Sequence, residues 1–201
     1  MRRFAPLLIL LPWLLLPNSI WAQHRRTYYD LTVKNKEAGV LIVDYQSDAS
    51  GREFIRVYTD LRVELLFSVH LIFDLRATYH HGHLFRARSR VIKNGKPHSR
   101  ASFWHEDEQR MATLEGDTLE LDTSSISYSS ALLYVQEPKG LDLLYSEVNA
   151  TFNPVCYSEG GCYEVRLPYN NQSNEYCYEN GEMISGELGH WLAPIQIRRR
   201  E

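Results

Sequence analysis

Histidines form the densest group of side chains able to do chemistry. His80, His81 and His83 lie close together in the chain, and neutral imidazole is the commonest side-chain ligand of metal ions. Residues i and i+2 of a strand share one face, so His81 and His83 could bind one ion. Gly82 between them instead favours a turn. We therefore predict an exposed hairpin tip, with no metal and no cofactor.

A second polar group, His105-Glu106-Asp107-Glu108, offers one imidazole and three carboxylates. It ends a strand pattern and precedes Gln109-Arg110, which favours a charged turn over a binding site. A hydrolase would need this group to meet the other histidines in one cleft.

No catalytic motif accompanies these groups. The sequence contains no GxSxG, no SxxK and no HExxH pattern, the arrangements that activate a serine or hold a catalytic zinc ion. Cys177 is flanked by Tyr176 and Tyr178 in a strand pattern, which favours a buried and inert thiol. We therefore predict that the protein is not an enzyme.

Three cysteines, Cys156, Cys162 and Cys177, lie in the last quarter of the chain. One disulfide with one thiol left over is the simplest arrangement. Gly160 and Gly161 let the short loop between Cys156 and Cys162 close, so we predict that bridge, with Cys177 free. A Cys162–Cys177 bridge is the alternative, because a one-residue slip in strand register reverses the faces.

Tyrosines crowd the same region. Tyr163, Tyr176 and Tyr178 each combine apolar area with a hydroxyl group, and we select them as candidate contacts to a ligand or partner. The alternative is that tyrosine is simply favoured in strands.

Alternation of apolar and polar residues positions all these groups. It runs through residues 55–65, 69–79 and 85–91, with Phe85 on the apolar face, and indicates sheets with one face in the core. Asn94-Gly95 is the strongest signal for a hairpin. The spacing predicts an all-β, antiparallel up-and-down meander of about ten strands, forming a closed or partly open barrel. A short helix near residues 127–134 is the one exception considered.

The N-terminus has the layout of a secretory signal peptide, with Arg2 and Arg3 before an apolar stretch that ends near Ala22. We predict that residues 1–22 are removed, leaving residues 23–201 as a single β-barrel-like domain in the periplasm or outside the cell. No later stretch is apolar enough to span a membrane. Cleavage leaves 20 of the 22 basic residues against 25 acidic ones, which argues against a nucleic-acid partner.

Five short motifs resemble those of a known family. They are KNGK at 93–96, LYVQEP at 133–138, YSE at 145–147, YEVRLP at 163–168 and NEYCYENG at 174–181. They resemble a group of uncharacterised exported bacterial proteins, found notably in Bacteroidetes and grouped as a domain of unknown function. The resemblance implies a periplasmic or surface location and an antiparallel, barrel-like fold, and it implies no active site.

Three functions are compatible with the sequence. The first is non-enzymatic binding of an apolar small molecule or an envelope protein, because small barrels can hold one ligand. The second is a structural or assembly factor of the cell envelope that uses strand edges or loops. The third is the hydrolase. An apolar cavity would favour the first, a filled interior with an uncovered edge the second, and converging histidines and carboxylates the third.

Overall fold

The structure, a computed structural model, describes residues 23–64, 68–106, 109–123, 125–168, 172–189 and 193–201. The predicted signal peptide, residues 1–22, lies outside the described part. The described strands are β1 (Gln23–Val33), β2 (Lys36–Ser47), β3 (Arg52–Glu64), β4 (Ser68–His80), β5 (His83–Lys93), β6 (Lys96–Glu106), β7 (Gln109–Leu114), β8 (Asp117–Glu120), β9 (Leu143–Ser146), β10 (Thr151–Tyr157), β11 (Cys162–Leu167), β12 (Gln172–Glu179), β13 (Glu182–Leu188) and β14 (Ile195–Arg199).

All fourteen described strands belong to one antiparallel sheet, in the order β8-β7-β6-β5-β4-β3-β2-β1-β14-β13-β12-β11-β10-β9. Sequence neighbours pair throughout, except β8 and β9, and β1 also pairs with β14. The sheet therefore curls without closing, with β8 and β9 as its edges. The predicted antiparallel meander is confirmed as a partly open barrel, with more strands than the ten expected. Within residues 127–134, helix is limited to a 3-10 turn at Leu132–Tyr134.

Alternation along the strands sends apolar side chains to the inner face, as predicted. In β3, Ile55, Val57 and Leu61 are buried, whereas the intervening Arg56 and Asp60 are only half-buried. Because alternate residues of a strand point to opposite faces, this pattern places one side of the sheet in the core.

Phe85 is an exception to the predicted faces. Its side chain is 49% exposed, while Leu84 beside it is fully buried. An irregularity in register pairs Tyr79 with Leu84 and Thr78 with Arg86, so Phe85 has no partner residue in β4. A bulge of this kind changes the phase of the alternation, and the prediction for Phe85 is wrong for that reason.

Two-residue loops with left-handed backbone join several strands. Asn94 and Gly95, with φ of 51° and 76°, connect β5 to β6, which is the hairpin that the sequence predicts. His81 and Gly82, with φ of 50° and 76°, connect β4 to β5 in the same way. The first histidine group therefore lies at an exposed hairpin tip, as predicted.

The disulfide joins Cys162 to Cys177, and Cys156 is the free cysteine. The predicted Cys156–Cys162 bridge is therefore wrong, and the alternative pairing is the one formed. β11 and β12 set Cys162 directly opposite Cys177, with the Cα atoms 4.0 Å apart. In the β10–β11 hairpin, Cys156 instead lies opposite Glu164, so closing the glycine loop does not bring Cys156 to Cys162.

Residues 126–136, here called the plug segment, cross the interior of the curled sheet. Ala131 is fully buried and Leu133 is 1% exposed. The Leu84 N–H in β5 donates to the carbonyl of Ile126 at 2.7 Å, and the Tyr178 hydroxyl in β12 donates to the carbonyl of Leu133 at 2.7 Å. The plug segment thus connects both halves of the sheet and fills one end of the barrel.

Candidate ligand cavity

An apolar cavity of about 330 Å³ lies inside the sheet, beyond the plug segment. Its walls come from both halves of the sheet and are made mainly of aliphatic side chains. The most deeply buried of these are Leu31, Leu41, Leu61, Leu75, Leu144 and Val165. Such a lining favours an apolar molecule, because the transfer of apolar surface out of water is favourable.

Half-buried apolar side chains form the rim of the cavity. They are Leu71, Phe73, Val91, Val148, Leu167, Leu188 and Ile195. A half-buried lining residue contacts both the cavity and solvent, so these residues mark the entrance.

The plug segment closes the inner end of the cavity with Leu133 and Tyr134. The ring of Tyr134 meets the ring of Tyr176 edge-on, with centroids 5.9 Å apart. Tyr176, one of the three candidate contact residues, lines the cavity. Burial raises the pKa of Tyr176 to about 12, so its hydroxyl stays neutral and can donate a hydrogen bond.

The other two candidate tyrosines, Tyr163 and Tyr178, lie at the plugged end of the barrel. Their rings meet edge-on, with centroids 5.7 Å apart. The Tyr178 hydroxyl donates to the carbonyl of Leu133, and the Tyr163 hydroxyl donates to Glu137 Oε1 at 2.9 Å. These two tyrosines hold the plug segment and its flank, and neither lines the described cavity wall.

A buried carboxylate fastens the plug segment to the turn after β9. Glu147 is 2% exposed and accepts hydrogen bonds from the hydroxyls of Ser129 and Ser130 and, at 3.3 Å, from the N–H of Ala131. Burial raises the pKa of Glu147, and the hydrogen bonds only partly oppose this shift. Ser129 also hydrogen-bonds the Tyr79 hydroxyl, which connects the network to β4.

Asn153 places a distinctive polar atom in the cavity wall. Its side chain is 2% exposed and lines the cavity. Within the described residues, Asn153 Oδ1 has no hydrogen-bond partner. A buried acceptor without a partner costs about 1–3 kcal/mol, so a ligand that donates to Oδ1 would remove this cost. Asn153 is not among the residues that the sequence predicts. The sequence signal for Asn153 is its position two residues before Val155, because residues i and i+2 of a strand share one face and Val155 is buried.

Phe85 packs against one ring of each histidine-containing group. The ring centroids of His80 and His81 are 4.2 Å apart, and Phe85 lies 6.4 Å from His80 and 5.7 Å from His105. Burial, and then the charge of Arg110, lower the pKa of His105. The other acidic members of the second group, residues 107–108, lie outside the described residues.

One group of side chains among the described residues has the geometry of a metal site. Cys162, Glu175 and Cys177 are the only three potential ligands there that lie close enough to share an ion. Cys162 and Cys177 form the disulfide, so their sulfur atoms are not available as thiolate ligands.

A solved structure shares this fold. The crystal structure of a β-barrel-like protein of the domain of unknown function DUF1849 from Brucella abortus superposes with a TM-score of 0.59, over 89% of this chain and 96% of that chain, at 12% identity. At this identity the similarity establishes the fold alone. No sequence among the curated proteins matches the chain.

The family comparison covers the plug segment and all of the barrel except the first six residues of β1. The model of the domain of unknown function DUF6134 matches residues 29–200, and this range includes the five motifs that carry the predicted resemblance. The prediction of a domain of unknown function is confirmed to that extent. The chain belongs to the DUF6134 family.

Proposed function

We propose that the chain binds an apolar small molecule in the cavity and acts by binding, without making or breaking bonds. The observation that carries this proposal is the apolar cavity of about 330 Å³ with its half-buried rim. Small-molecule pockets span about 300–1,000 Å³, so the volume favours a small ligand. The described lining contains no histidine, cysteine or carboxylate, the groups most often used in acid–base and nucleophilic catalysis.

The polar groups of the lining narrow the class of ligand. Asn153 Oδ1 offers an acceptor without a partner in the described residues, and no lysine or arginine belongs to the described lining. A buried anion without a cation is strongly disfavoured, which argues against a carboxylate inside the cavity. These features favour a neutral apolar molecule that carries one hydrogen-bond donor, such as a hydroxyl group or an amide N–H.

The two edge strands, β8 and β9, are less suitable than the cavity as a binding surface. β8 is four residues long, all four of its residues are exposed, and it begins and ends with the carboxylates Asp117 and Glu120. Short, charged edges resist pairing with another strand. The β9 edge is covered, because Ser130 N–H donates to the carbonyl of Tyr145 and Tyr145 N–H donates to the carbonyl of Tyr128. The cavity is therefore favoured over strand addition as the binding surface.

Export is part of the proposal. Disulfides persist in oxidising compartments, and the Cys162–Cys177 bridge supports the predicted signal peptide. Among the described residues, no helix is long and apolar enough to cross a membrane. We expect N-terminal sequencing of the protein made in a bacterial host to begin at Gln23. A product that keeps Met1 would contradict export by signal cleavage.

The binding proposal is tested with the neutral fluorophore N-phenyl-1-naphthylamine, whose emission rises in apolar surroundings. We expect saturable binding to the wild-type protein. Leu167→Trp should fill part of the entrance and weaken binding about tenfold or more, because overpacking at a contact costs about 1–3 kcal/mol. Leu167 is half-buried, so the fold should tolerate the change.

The matched control is Leu143→Trp, because Leu143 is 54% exposed and does not line the described cavity. This variant should bind the fluorophore like the wild type. Absence of saturable binding to the wild-type protein, or equal weakening by both variants, would show that the cavity is not the binding site.

A further inference from the structure

The outer face of β3–β6 carries a group of arginines, here called the arginine face. Its members are Arg56, Arg76, Arg86, Arg88, Arg90 and Arg100. The whole chain has a formal net charge of −3. The concentration of positive charge is therefore a local feature and not a property of the whole protein.

Strand register sets several of these arginines directly against one another. Arg76 in β4 lies opposite Arg56 in β3 and also opposite Arg88 in β5. Arg90 in β5 lies opposite Arg100 in β6. Like charges directly across a sheet are destabilising, so this arrangement requires negative charge from the protein itself or from a ligand.

One buried carboxylate neutralises part of the arginine face. Asp74 is 5% exposed and hydrogen-bonds Arg56 at 2.9 Å, Arg76 at 3.1 Å and Arg90 at 3.5 Å. Burial by itself would raise the pKa of Asp74, but the hydrogen bonds from Arg56 and Arg76 outweigh it and lower the pKa. Asp74 is thus ionised and already engaged with three of the six arginines.

Two of the remaining three arginines border a groove of about 450 Å³ on the outer surface. Arg88 and Arg100 line it, and neither guanidinium has a carboxylate partner among the described residues. Ser102 and Thr113 add hydroxyl groups to the same lining. Glu115 is the one carboxylate in the described lining, and its Oε1 accepts the backbone N–H of Arg100 at 3.1 Å.

We propose that this groove binds a phosphate group, with Arg88 and Arg100 as its main ligands. Register places Arg88 opposite Ser102, two residues from Arg100, and side chains on such a diagonal lie about 7–8 Å apart, within reach of one anion. A guanidinium binds oxyanions through two parallel hydrogen bonds. A phosphate group has three acceptor oxygens and up to two negative charges, which matches two guanidinium groups and the neighbouring hydroxyls.

This phosphate site is independent of the proposed cavity function. The arginine face lies on the outer face of the same strands whose Leu61 and Leu75 line the cavity from inside. Filling the cavity with Leu167→Trp should therefore leave phosphate binding unchanged, so the two proposals can fail separately.

The test is titration calorimetry of the whole protein with inorganic tripolyphosphate at low ionic strength. We expect the double variant Arg88→Gln/Arg100→Gln to bind at least about tenfold more weakly, because it loses two guanidinium groups that donate charge-assisted hydrogen bonds to the anion. The matched control is the double variant Arg166→Gln/Arg198→Gln, which also removes two exposed arginines, one from β11 and one from β14. It should weaken binding less than about twofold, because exposed charges more than about 10 Å from the groove are screened.

The lysine variant Arg88→Lys/Arg100→Lys keeps the charge but loses the planar fork. It should also weaken binding, and it carries the test if the glutamine variant fails to fold. Unchanged binding in the lysine variant, equal weakening by the two glutamine pairs, or no binding of tripolyphosphate would overturn the proposal.

Vesicles distinguish the source of the phosphate. Co-sedimentation with phosphatidylglycerol vesicles, but not with phosphatidylcholine vesicles, that is lost in Arg88→Gln/Arg100→Gln would assign the site to a lipid headgroup. Binding of tripolyphosphate without co-sedimentation would assign it to a soluble phosphate. Either result supports phosphate recognition at the groove.

Discussion

The two ends of the barrel interior are filled in different ways. At the plugged end, Leu84, Ala131 and Met183 are at most 1% exposed, and the plug segment occupies the space between the two halves of the sheet. At the cavity end, Leu71 and Leu188 are only half-buried and border about 330 Å³ of space. The strands that run through both ends have the same inward alternation. The plug segment, and not the strand pattern, therefore decides where a ligand can fit.

Buried polar groups also differ between the two ends, in whether they have hydrogen-bond partners. At the plugged end, Glu147 accepts three hydrogen bonds and the Tyr178 hydroxyl is paired with Leu133. At the cavity end, Asn153 Oδ1 has no partner in the described residues. A satisfied buried network specifies one arrangement, whereas an unpaired buried acceptor favours a partner from outside.

The largest expected difference between the ends is in stability. Leu84→Ala at the plugged end should lower the free energy of unfolding by about 2–5 kcal/mol, because it leaves a cavity in a closely packed core. Leu188→Ala at the half-buried rim should cost about 1 kcal/mol, since less apolar area leaves the interior. Urea unfolding measures both. Equal losses would mean that the two ends are packed alike.

The disulfide gives the next largest effect. Cys162→Ser opens a bridge that spans 15 residues, and a loop of that length contributes about 3 kcal/mol in the chain-entropy account. Cys156→Ser, which alters the free cysteine, should change stability by less than about 1 kcal/mol. Urea unfolding without reductant compares the two variants. Non-reducing peptide mapping that finds Cys156 bridged would contradict the pairing.

Glu147→Gln tests the network that holds the plug segment. We expect the variant to match the wild type within about 1 kcal/mol at acidic pH, because the protonated carboxyl group, like the amide, offers a donor and a carbonyl acceptor. As pH rises, the variant should become more stable relative to the wild type. The raised pKa of Glu147 means that the folded protein binds this proton more tightly than the unfolded chain, so wild-type stability falls between about pH 4.3 and the folded-state pKa.

The glutamine variant lacks this titration, and its other groups are the same. The difference in the free energy of unfolding, wild type minus variant, should therefore decrease with pH over that range. An increase with pH would mean that the carboxylate form of Glu147 is the one that the folded protein stabilises.

Asn153→Leu should have the smallest effect on stability and a specific effect on binding. Replacing an unpaired acceptor by an apolar group should leave stability unchanged or raise it by about 1 kcal/mol. Competition against N-phenyl-1-naphthylamine should show that the wild type prefers 1-octanol over n-octane about threefold to tenfold, the value of one hydrogen bond of about 0.5–1.5 kcal/mol. The variant should lose this preference. If Asn153→Leu keeps the preference for 1-octanol, Asn153 does not hydrogen-bond the ligand.

Local patterns predict the strands and several hairpins. Alternation in β3 and the Asn94-Gly95 loop are properties of neighbouring residues, and the structure follows both. The position of Phe85 depends on a bulge whose partner strand is not visible in the local pattern. The cysteine pairing depends on the β11–β12 register, which places Cys162 opposite Cys177.

The candidate site depends even more on long-range structure. The plug segment has no repeating apolar pattern that would assign it to the barrel interior, and its contacts come from strands far away in sequence, such as Leu84 and Tyr178. Tyr176 is selected from its residue type and does line the cavity. Asn153 acquires its significance only when the surrounding strands bury it.

The most direct test of the difference between the two ends is an NMR measurement of where an apolar ligand lies. With N-phenyl-1-naphthylamine bound, nuclear Overhauser effects should connect its aromatic protons to the methyl groups of Leu61, Leu75 and Leu144, which line the cavity. None should reach Leu84 or Met183 at the plugged end. Overhauser effects to Leu84 and Met183, or only to the exposed Leu143, would contradict a barrel that is packed at one end and binds its ligand at the other.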